Sequence, residues 1–264
     1  MNVLKHFLQF QLSPPNYKFE FVYVLNMEPE DSSWKGARGM VTDFLKSDYI
    51  EKGKLDMKEC QGFLCGPPPM IDAAIKEFKT YAKNYNLITE AEKTGGGYEW
   101  GAGWEKRSGW TYKTPYGKNP ESDLEPAVHI SRYEAEDYCK SINGRLPSFD
   151  EWSYAAYQQV FNSSEFKKGK VYKYPSGDEA KNMNSQGLLN YNKHIDVTKL
   201  PEGINGLVAM GGNVWEWIDD KKNENSLTAG ASWWYGGSKT SKSGAQYKPS
   251  NFYAIYVGFR CAFD

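Results

Sequence analysis

The hydrophobic and polar positions of the first quarter of the chain predict alternating strands and helices. Residues Phe19–Leu25 are rich in β-branched and aromatic types and alternate in polarity, which predicts a strand. Gly39–Tyr49 predicts a helix, and Gln61–Cys65 predicts a short buried strand that ends at three consecutive prolines. From Met70 to Tyr85 apolar residues recur at helical spacing, so a helix follows the prolines directly. The pattern therefore predicts a small α/β segment of the βαβα type.

A second pattern begins after residue 120 and predicts a strand followed by two capped helices. Pro126–Ser131 predicts the strand, and the helices are predicted over Arg132–Ser141 and Phe149–Val160. A serine precedes each helix and a glutamate follows that serine by three residues, which is the capping-box pattern. The two boxes are Ser131 with Glu134 and Ser148 with Glu151.

The composition changes near residue 94, where a glycine-rich stretch is suited to a joint between domains. Eight of the nine tryptophans follow this point, which is typical of a loop-rich fold or of a surface that binds through aromatic rings. We therefore predict two domains, an α/β segment over 1–94 and a second domain over 95–264.

The charge and hydropathy of the chain exclude several classes of partner. The formal net charge is -1, so nothing in the electrostatics favours nucleic acid or an anionic membrane. No apolar run approaches the length of a membrane span. The opening Met1–Leu12 lacks the small-residue cleavage site of a secretory signal. We expect a cytoplasmic or a phage- or virus-associated protein, and the sequence leaves its oligomeric state open.

Two motifs near the C-terminus carry the most information about function. Residues 206–217 place Trp215 and Trp217 on either side of Glu216, directly after a Gly-Gly-Asn turn, and the chain ends with Gly258–Asp264. A rigid curl of this kind, with one carboxylate, suits a hard cation bound by backbone carbonyls and one acid. The motifs resemble the formylglycine-generating-enzyme (sulfatase-modifying factor) family, whose fold is an elaborated C-type-lectin-like domain. The resemblance begins near Tyr98 and implies an α+β fold.

The resemblance also implies a calcium site and a disulfide bridge. The cation would be held by the carboxylate of Glu216 and three backbone carbonyls, those of Ala209, Gly212 and Val214. Without a metal, Glu216 would cap N–H groups of its own loop. The family often has cysteines at the places of Cys139 and Cys261, which implies a bridge between them. In a reducing compartment they would be two buried thiols.

The resemblance does not extend to catalysis. Formylglycine-generating enzymes bind Cu(I) through two thiolates, and Tyr235 and Thr240 stand at those positions here. No cysteine lies between Cys139 and Cys261. The iron-dependent sulfoxide synthases of this fold need a histidine-rich domain, and this chain has three histidines. We therefore predict a protein without the chemistry of either group.

The segment 233–256 has the composition of a binding loop. It is rich in tyrosine, serine, glycine, asparagine and tryptophan and holds scarcely any aliphatic residues. This composition combines rigid rings with adaptable hydrogen bonding. It resembles the variable region of proteins diversified by retroelements, which closes with Gly-Phe-Arg. We predict a protein or other macromolecular ligand, with Trp234, Tyr235, Lys239, Tyr247, Asn251, Tyr253 and Tyr256 as contacts. The alternative is that these aromatic residues pack into the core, Trp233, Phe252 and Phe259 foremost.

The N-terminal segment carries a second resemblance, through Phe63–Met70 with support from Gly39–Leu45. It resembles the C-terminal part of the NAD-binding module of the ferredoxin-reductase family, including the flavin subunit of sodium-pumping NADH:quinone reductases. The glycine-rich turn that holds the pyrophosphate is absent, as is any flavin-binding barrel, so we expect no NAD binding and a structural or docking role. The alternative function is an enzyme, either formylglycine-generating-enzyme-like or an NADH-linked oxidoreductase.

Overall fold

The computed structural model describes residues 5–12, 21–25, 37–38, 60–62, 74–160 and 163–263. Its two compact units are Met1–Pro67 with Phe263–Asp264, and Pro68–Ala262. The predicted helix Gly39–Tyr49 lies outside the described residues.

The smaller unit contains a four-stranded sheet. Its strands are β1 (Lys5–Leu12), β2 (Phe21–Leu25), β3 (Ala37–Arg38) and β4 (Cys60–Gly62), in the order β3-β2-β1-β4. β1 pairs antiparallel with β2 and β4, whereas β2 pairs parallel with β3. β2 lies within the predicted strand Phe19–Leu25, and β4 overlaps the start of the one predicted over Gln61–Cys65.

The larger unit is an α+β fold with short helices, a four-stranded sheet and long irregular segments. The elements are α1 (Ala74–Asn84), α2 (Glu90–Lys93), β5 (Gly96–Trp100), β6 (Trp104–Ser108), α3 (Arg132–Ser141), α4 (Phe149–Tyr157), β7 (Trp215–Lys222), β8 (Asn225–Ala229), β9 (Gln246–Pro249) and β10 (Val257–Gly258). Its sheet has the order β10-β7-β8-β9, and β5 and β6 form a separate hairpin. No helix of the described ranges is long and apolar enough to cross a membrane. Short 3₁₀ helices span Val197–Lys199, Ile204–Gly206, Gly237–Thr240 and Lys242–Gly244.

Helix α1 belongs to the larger unit, which begins at Pro68, whereas the sequence boundary near residue 94 places this helix in the first segment. The reason is its buried face. Phe78 is fully buried and packs edge-on against Tyr112, with a ring-centroid distance of 4.9 Å. Phe78 also contacts Tyr138 of α3 and Phe259 near the C-terminus. The helix is therefore part of the same hydrophobic core as the C-terminal motifs.

The capping boxes predicted for α3 and α4 are both present, with each serine and glutamate bonded reciprocally. Helix α4 ends at Tyr157 rather than at Val160. Asn205 explains this end, because its side chain donates to Gln158 O at 2.7 Å and accepts from Val160 N at 2.8 Å. These bonds satisfy backbone groups that a longer helix would have paired internally.

The strand predicted over Pro126–Ser131 is wrong, since this segment joins no sheet. His129 adopts a left-handed conformation (φ 58°), which breaks an extended path. The backbone bonds of the segment go to separate partners, because His129 N donates to Ala254 O and Ile130 O accepts from Trp217 Nε1. Burial lowers the pKa of His129 to about 3, so its ring is neutral in the core.

A disulfide joins Cys139 of α3 to Cys261, three residues after β10, with 5.5 Å between the two Cα atoms. Beside it, Arg145 and Ala262 exchange two backbone hydrogen bonds of 2.9 and 2.7 Å. The C-terminal segment is thus attached to the helical side of the domain at two neighbouring points.

Candidate functional site

The Gly-Gly-Asn turn before β7 is shaped by close backbone packing and by one asparagine side chain. Gly212 has φ 77°, and a Cβ there would lie 2.3 Å from Asn184 O, so only glycine fits. Asn213 is buried with φ 61°. Its Oδ1 accepts from Ile195 N at 2.9 Å and from Asn184 Nδ2 at 3.0 Å. The turn therefore fixes the direction in which β7 begins.

Glu216 on β7 joins the two C-terminal motifs through a buried ion pair. Its side chain is only 6% exposed, and its Oε1 and Oε2 accept from Arg260 Nη2 and Nε, each at 2.6 Å. Trp152 Nε1 of α4 donates to Oε2 at 2.7 Å. Arg260 Nη2 also lies 3.3 Å from Val208 O. The carboxylate is therefore held by three donors in a fixed geometry.

This arrangement does not fit the predicted calcium site. Both carboxylate oxygens of Glu216 are taken by Arg260, and a guanidinium on the same carboxylate would repel a cation there. Without that carboxylate only the three predicted backbone carbonyls, those of Ala209, Gly212 and Val214, are left, and they supply no negative charge. Glu216 also does not cap its own loop, since its partners are Arg260 and Trp152. Within the described ranges, no cluster of three or more His, Cys, Asp or Glu residues could hold a metal.

The structure exposes most of the contact residues predicted on segment 233–256. Trp234 is 45% exposed, and Lys239 and Asn251 are also exposed. Tyr247 is exposed on β9 and its hydroxyl donates to Asp220 Oδ1 at 2.9 Å. Tyr235 is half-buried, with its ring edge-on to Trp215 at a centroid distance of 5.2 Å. These side chains remain candidates for ligand contact.

Tyr253 and Tyr256 are buried, so their assignment as contact residues is corrected. The Tyr253 hydroxyl lies 2.8 Å from Thr94 Oγ1, and the Tyr256 hydroxyl accepts from Trp100 N at 3.1 Å. Burial raises the pKa of both tyrosines, which keeps their hydroxyls protonated. Of the aromatic residues expected in the core instead, Trp233 is buried and Phe252 is partly exposed.

Two tryptophans that the sequence analysis did not select lie on the surface beside this segment. Trp100 and Trp104 are paired at the end of the β5–β6 hairpin and are 42% and 48% exposed. Their ring centroids are 5.2 Å apart, and Trp104 lies 4.7 Å from Phe252. The sequence contains a signal for this pair, because Trp100 and Trp104 flank Gly-Ala-Gly. Such a short loop predicts a hairpin that pairs the two residues beside it.

Trp100, Trp104, Trp234 and Phe252 form what we call the aromatic face. The buried Tyr256 links its members, since its ring lies 6.3 Å from Trp104 and 5.9 Å from Trp234. The buried tyrosine thus supports the exposed rings from below. Segment 233–256 and the β5–β6 hairpin contribute to one surface.

The resemblance places the two copper-binding thiols at Tyr235 and Thr240, and both of these side chains carry a hydroxyl group instead. Thr240 is buried, its Oγ1 donates to Gly237 O at 2.7 Å, and its carbonyl accepts from Tyr157 at 2.8 Å. Burial raises the pKa of Tyr235. Neither position presents a soft metal ligand.

We expect Tyr256→Phe to lower the free energy of unfolding by about 1 kcal/mol, because the partly buried Trp100 N–H loses its acceptor. Asn251→Ala is the matched exposed control from the same segment, and we expect a change within about 0.5 kcal/mol. Urea denaturation followed by tryptophan fluorescence measures both. Equal effects of the two changes would contradict the placement of Tyr256.

Comparison with known proteins gives separate matches for the two parts of the chain. The xylene/toluene monooxygenase electron transfer component XylA of Pseudomonas putida is 50% identical over 60 residues, which are 23% of this chain and 15% of that protein. Inactive C-alpha-formylglycine-generating enzyme 2 of Bos taurus is 29% identical over 149 residues, covering 48% of this chain and 45% of that protein. The chain thus spans less than half the length of these relatives.

The structure of PvdO from Pseudomonas aeruginosa aligns with a TM-score of 0.52 and 20% sequence identity. The alignment covers 72% of this chain and 77% of that one. At this identity it shows a likeness of fold, and it confirms the predicted α+β architecture of formylglycine-generating-enzyme type.

Two family profiles match the sequence. The oxidoreductase NAD-binding domain matches residues 3–76, in agreement with the resemblance seen around Phe63–Met70. The sulfatase-modifying factor enzyme 1-like domain matches residues 50–264, which is most of the chain and includes every element of the larger unit. The chain therefore belongs to the sulfatase-modifying factor enzyme 1-like family.

Proposed function

We propose that this protein is a non-catalytic ligand-binding member of its family, and that it binds a protein or other macromolecule through the aromatic face. The observation that carries the proposal is the exposure of Trp100, Trp104 and Trp234 on one surface. Exposed tryptophans side by side are uncommon on a monomer surface without a partner. Tryptophan is also enriched among the residues that dominate interface energies.

The surroundings of the aromatic face fit a binding surface. Asn251 directly precedes Phe252 and is exposed, so an adaptable polar group adjoins the rings. Lys239 and Tyr247 add further exposed polar groups on segment 233–256. The ring packing between Trp104 and Phe252 restrains both side chains before a ligand arrives, which reduces the conformational entropy lost on binding.

The absence of cysteines at the two predicted copper-binding positions supports a role without catalysis. Tyr235 and Thr240 take the places of two sulfur ligands, and Thr240 is bonded within its own 3₁₀ helix. The bovine relative is itself described as an inactive formylglycine-generating enzyme. Neither side chain supplies a sulfur ligand, whereas Trp100, Trp104 and Trp234 face solvent.

A second candidate function is an NADH-linked redox role for the N-terminal part. The match to an electron transfer component over 60 residues at 50% identity favours it. The sequence lacks the glycine-rich phosphate turn, so we expect no quenching of tryptophan fluorescence when NADH is titrated into the protein. Saturable quenching, or a flavin absorbance band in the purified protein, would favour the redox role instead.

Sequencing of the 3′ end of the gene across a growing population of the source tests whether the binding surface is diversified. We expect substitutions at adenine positions in the codons of exposed residues of segment 233–256, such as Lys239 and Asn251. Codons 206–217 should stay constant, because Gly212, Asn213 and Glu216 have buried partners. They serve as the internal control.

A uniform 3′ end would rule out diversification and leave a binder of fixed specificity. Substitutions spread equally over codons 206–217 would contradict the assignment of separate structural and binding segments. The proposed binding itself is tested by Trp104→Ala combined with Trp234→Ala. This variant should keep the unfolding midpoint of the wild type to within a few degrees and lose affinity for the partner by tenfold or more.

A further inference from the structure

The β5–β6 hairpin has two outer edges, and the C-terminal segment occupies one of them. Tyr98 O of β5 accepts from Ile255 N at 3.0 Å, and Trp100 N donates to the Tyr256 hydroxyl at 3.1 Å. The backbone groups of Tyr98 and Trp100 therefore point away from β6. In an antiparallel pair, residues directly opposite one another turn their N–H and C=O groups either both inward or both outward. The orientation on β5 thus fixes the orientation on β6.

The outer edge of β6 is open. Lys106 lies opposite Tyr98. Trp104 lies opposite Trp100, so the backbone N–H and C=O groups of both β6 residues also point out of the hairpin. No hydrogen bond joins these four groups to another residue in the ranges that the structure describes. Both residues are exposed, and β6 contains no proline. This edge thus offers two donors and two acceptors in the alternation that an added strand requires.

The aromatic face continues to this edge. Successive side chains of a strand point to alternate faces, so Trp104 and Lys106 share one face of the hairpin with Trp100. Trp104 is a member of the aromatic face, and its ring packs against Phe252. A strand added beside β6 would therefore place every second side chain next to these rings. One ligand can use the edge and the rings at the same time.

The charges on β6 differ between its two faces. On the face without exposed rings, Arg107 is paired with Glu99 and Glu105, at 3.1 and 2.9 Å. On the ring side, the Lys106 amino group lies 5.8 Å from the ring centroid of Tyr98, and no carboxylate pairs with it in the described part of the chain. A lysine on an edge strand disfavours indiscriminate pairing, whereas a carboxylate directly across from it is favourable. The edge thus selects for a segment with a negative charge at that position.

We propose, on the basis of the binding function above, that the ligand of the aromatic face is an extended polypeptide segment that pairs with β6 as a third strand. The pairing is antiparallel, which is the slightly more stable arrangement. The segment carries an acidic residue opposite Lys106 and, two positions later, an apolar or aromatic residue opposite Trp104. Its backbone hydrogen bonds supply affinity that does not depend on sequence, and these two side chains supply specificity.

A display library of short linear peptides of random sequence, selected against the intact protein, tests this pairing. We expect the recovered peptides to share an acidic residue two positions before an apolar or aromatic one. In a synthetic copy of a recovered peptide, N-methylation of either of these residues should weaken binding by about tenfold or more, because their N–H groups face β6. N-methylation of the residue between them is the matched control. It should change the affinity by less than about twofold, because that N–H points away from β6.

Lys106→Pro in the protein removes one donor of the edge and no hydrogen bond inside the hairpin. Proline is tolerated where the N–H of an edge strand faces solvent, so the unfolding midpoint should stay within a few degrees of that of the wild type. Binding of the peptide should weaken by about tenfold. Lys106→Ala keeps the N–H and removes only the charge, so it should weaken binding by about threefold.

Amide hydrogen exchange of the wild type is a second measurement that needs no variant. The amides of Trp104 and Lys106 should exchange rapidly in the free protein and become protected when the peptide binds. The amides of Glu105 and Arg107 point toward β5 and should be protected in both states. Rapid exchange of Trp104 and Lys106 that the peptide does not slow would overturn the strand pairing.

The strand pairing and the binding function fail in different ways. Peptides that lose affinity with Trp104→Ala combined with Trp234→Ala, but tolerate Lys106→Pro and N-methylation, would overturn the pairing and leave the aromatic face as the binding surface. Recovery of no binding peptide would also overturn the pairing. Binding that requires the edge of β6 but tolerates the two tryptophan changes would support the pairing and contradict the proposed function.

Discussion

Arg260→Ala is expected to lower the free energy of unfolding by about 3–5 kcal/mol, because it leaves the Glu216 carboxylate buried with one indole donor. Arg260 now supplies two of the three hydrogen bonds to that carboxylate. Urea denaturation followed by circular dichroism gives the change. The loss is large because the desolvation cost of the carboxylate remains when its counter-charge is removed.

Arg145→Ala is the matched control for this prediction. Arg145 also pairs with a carboxylate through two nitrogens, at 2.8 and 2.7 Å from the oxygens of Glu151, but both side chains are at least one-third exposed. Exposed pairs contribute about 0–1 kcal/mol. Glu216→Gln added to Arg260→Ala should recover part of the loss, since no unpaired charge stays buried. Equal losses for Arg260→Ala and Arg145→Ala would contradict the buried ion pair.

Thermal unfolding of the wild type with and without calcium tests the predicted calcium site. If Arg260 neutralises Glu216, addition of calcium should leave the unfolding midpoint of the wild type unchanged, because a ligand that does not bind the folded state cannot stabilise it. A rise of several degrees that EDTA reverses would show that Glu216 is available to a cation. It would also contradict the geometry of the Arg260 pair.

The sequence predicts well those features that depend on neighbours along the chain. Both capping boxes follow from a serine and a glutamate three residues apart, and such contacts form whenever the helix forms. The Gly-Gly-Asn turn before β7 is visible for the same reason. The pairing of Glu216 with Arg260 spans 44 residues and depends on how β10 docks beside β7, which no local pattern encodes. The sequence predicts a metal site at Glu216 because no local pattern reveals Arg260 as the partner of that carboxylate.

Composition also fails to tell which ring of a loop faces solvent. Tyr253 and Tyr256 belong to the same tyrosine-rich stretch as Tyr247, but the chain turns after β9 and directs both inward. The bond between the Tyr256 hydroxyl and Trp100 N crosses 156 residues. For this reason the hairpin that supplies half of the aromatic face was not predicted together with segment 233–256.

Removing the disulfide with Cys139→Ala and Cys261→Ala is expected to lower the free energy of unfolding by about 4–5 kcal/mol. The bridge closes a loop with a sequence separation of 122 residues, and the entropy that a crosslink removes from the unfolded chain grows with loop length. Removing the bridge should also affect the ion pair between Arg260 and Glu216, because Cys261 directly follows Arg260. The bridge therefore restrains the residue that neutralises Glu216.

Denaturation with and without reductant checks this expectation. The wild type should lose stability in dithiothreitol, whereas the double variant should unfold at the same urea concentration in both conditions. Alkylation of the unfolded, unreduced wild type should leave the peptides of Cys139 and Cys261 unlabelled. Labelled thiols at both positions in protein isolated from its source would show two buried thiols there. In that compartment Arg260 would depend on packing alone, and we would then expect the loss caused by Arg260→Ala to be unaffected by dithiothreitol.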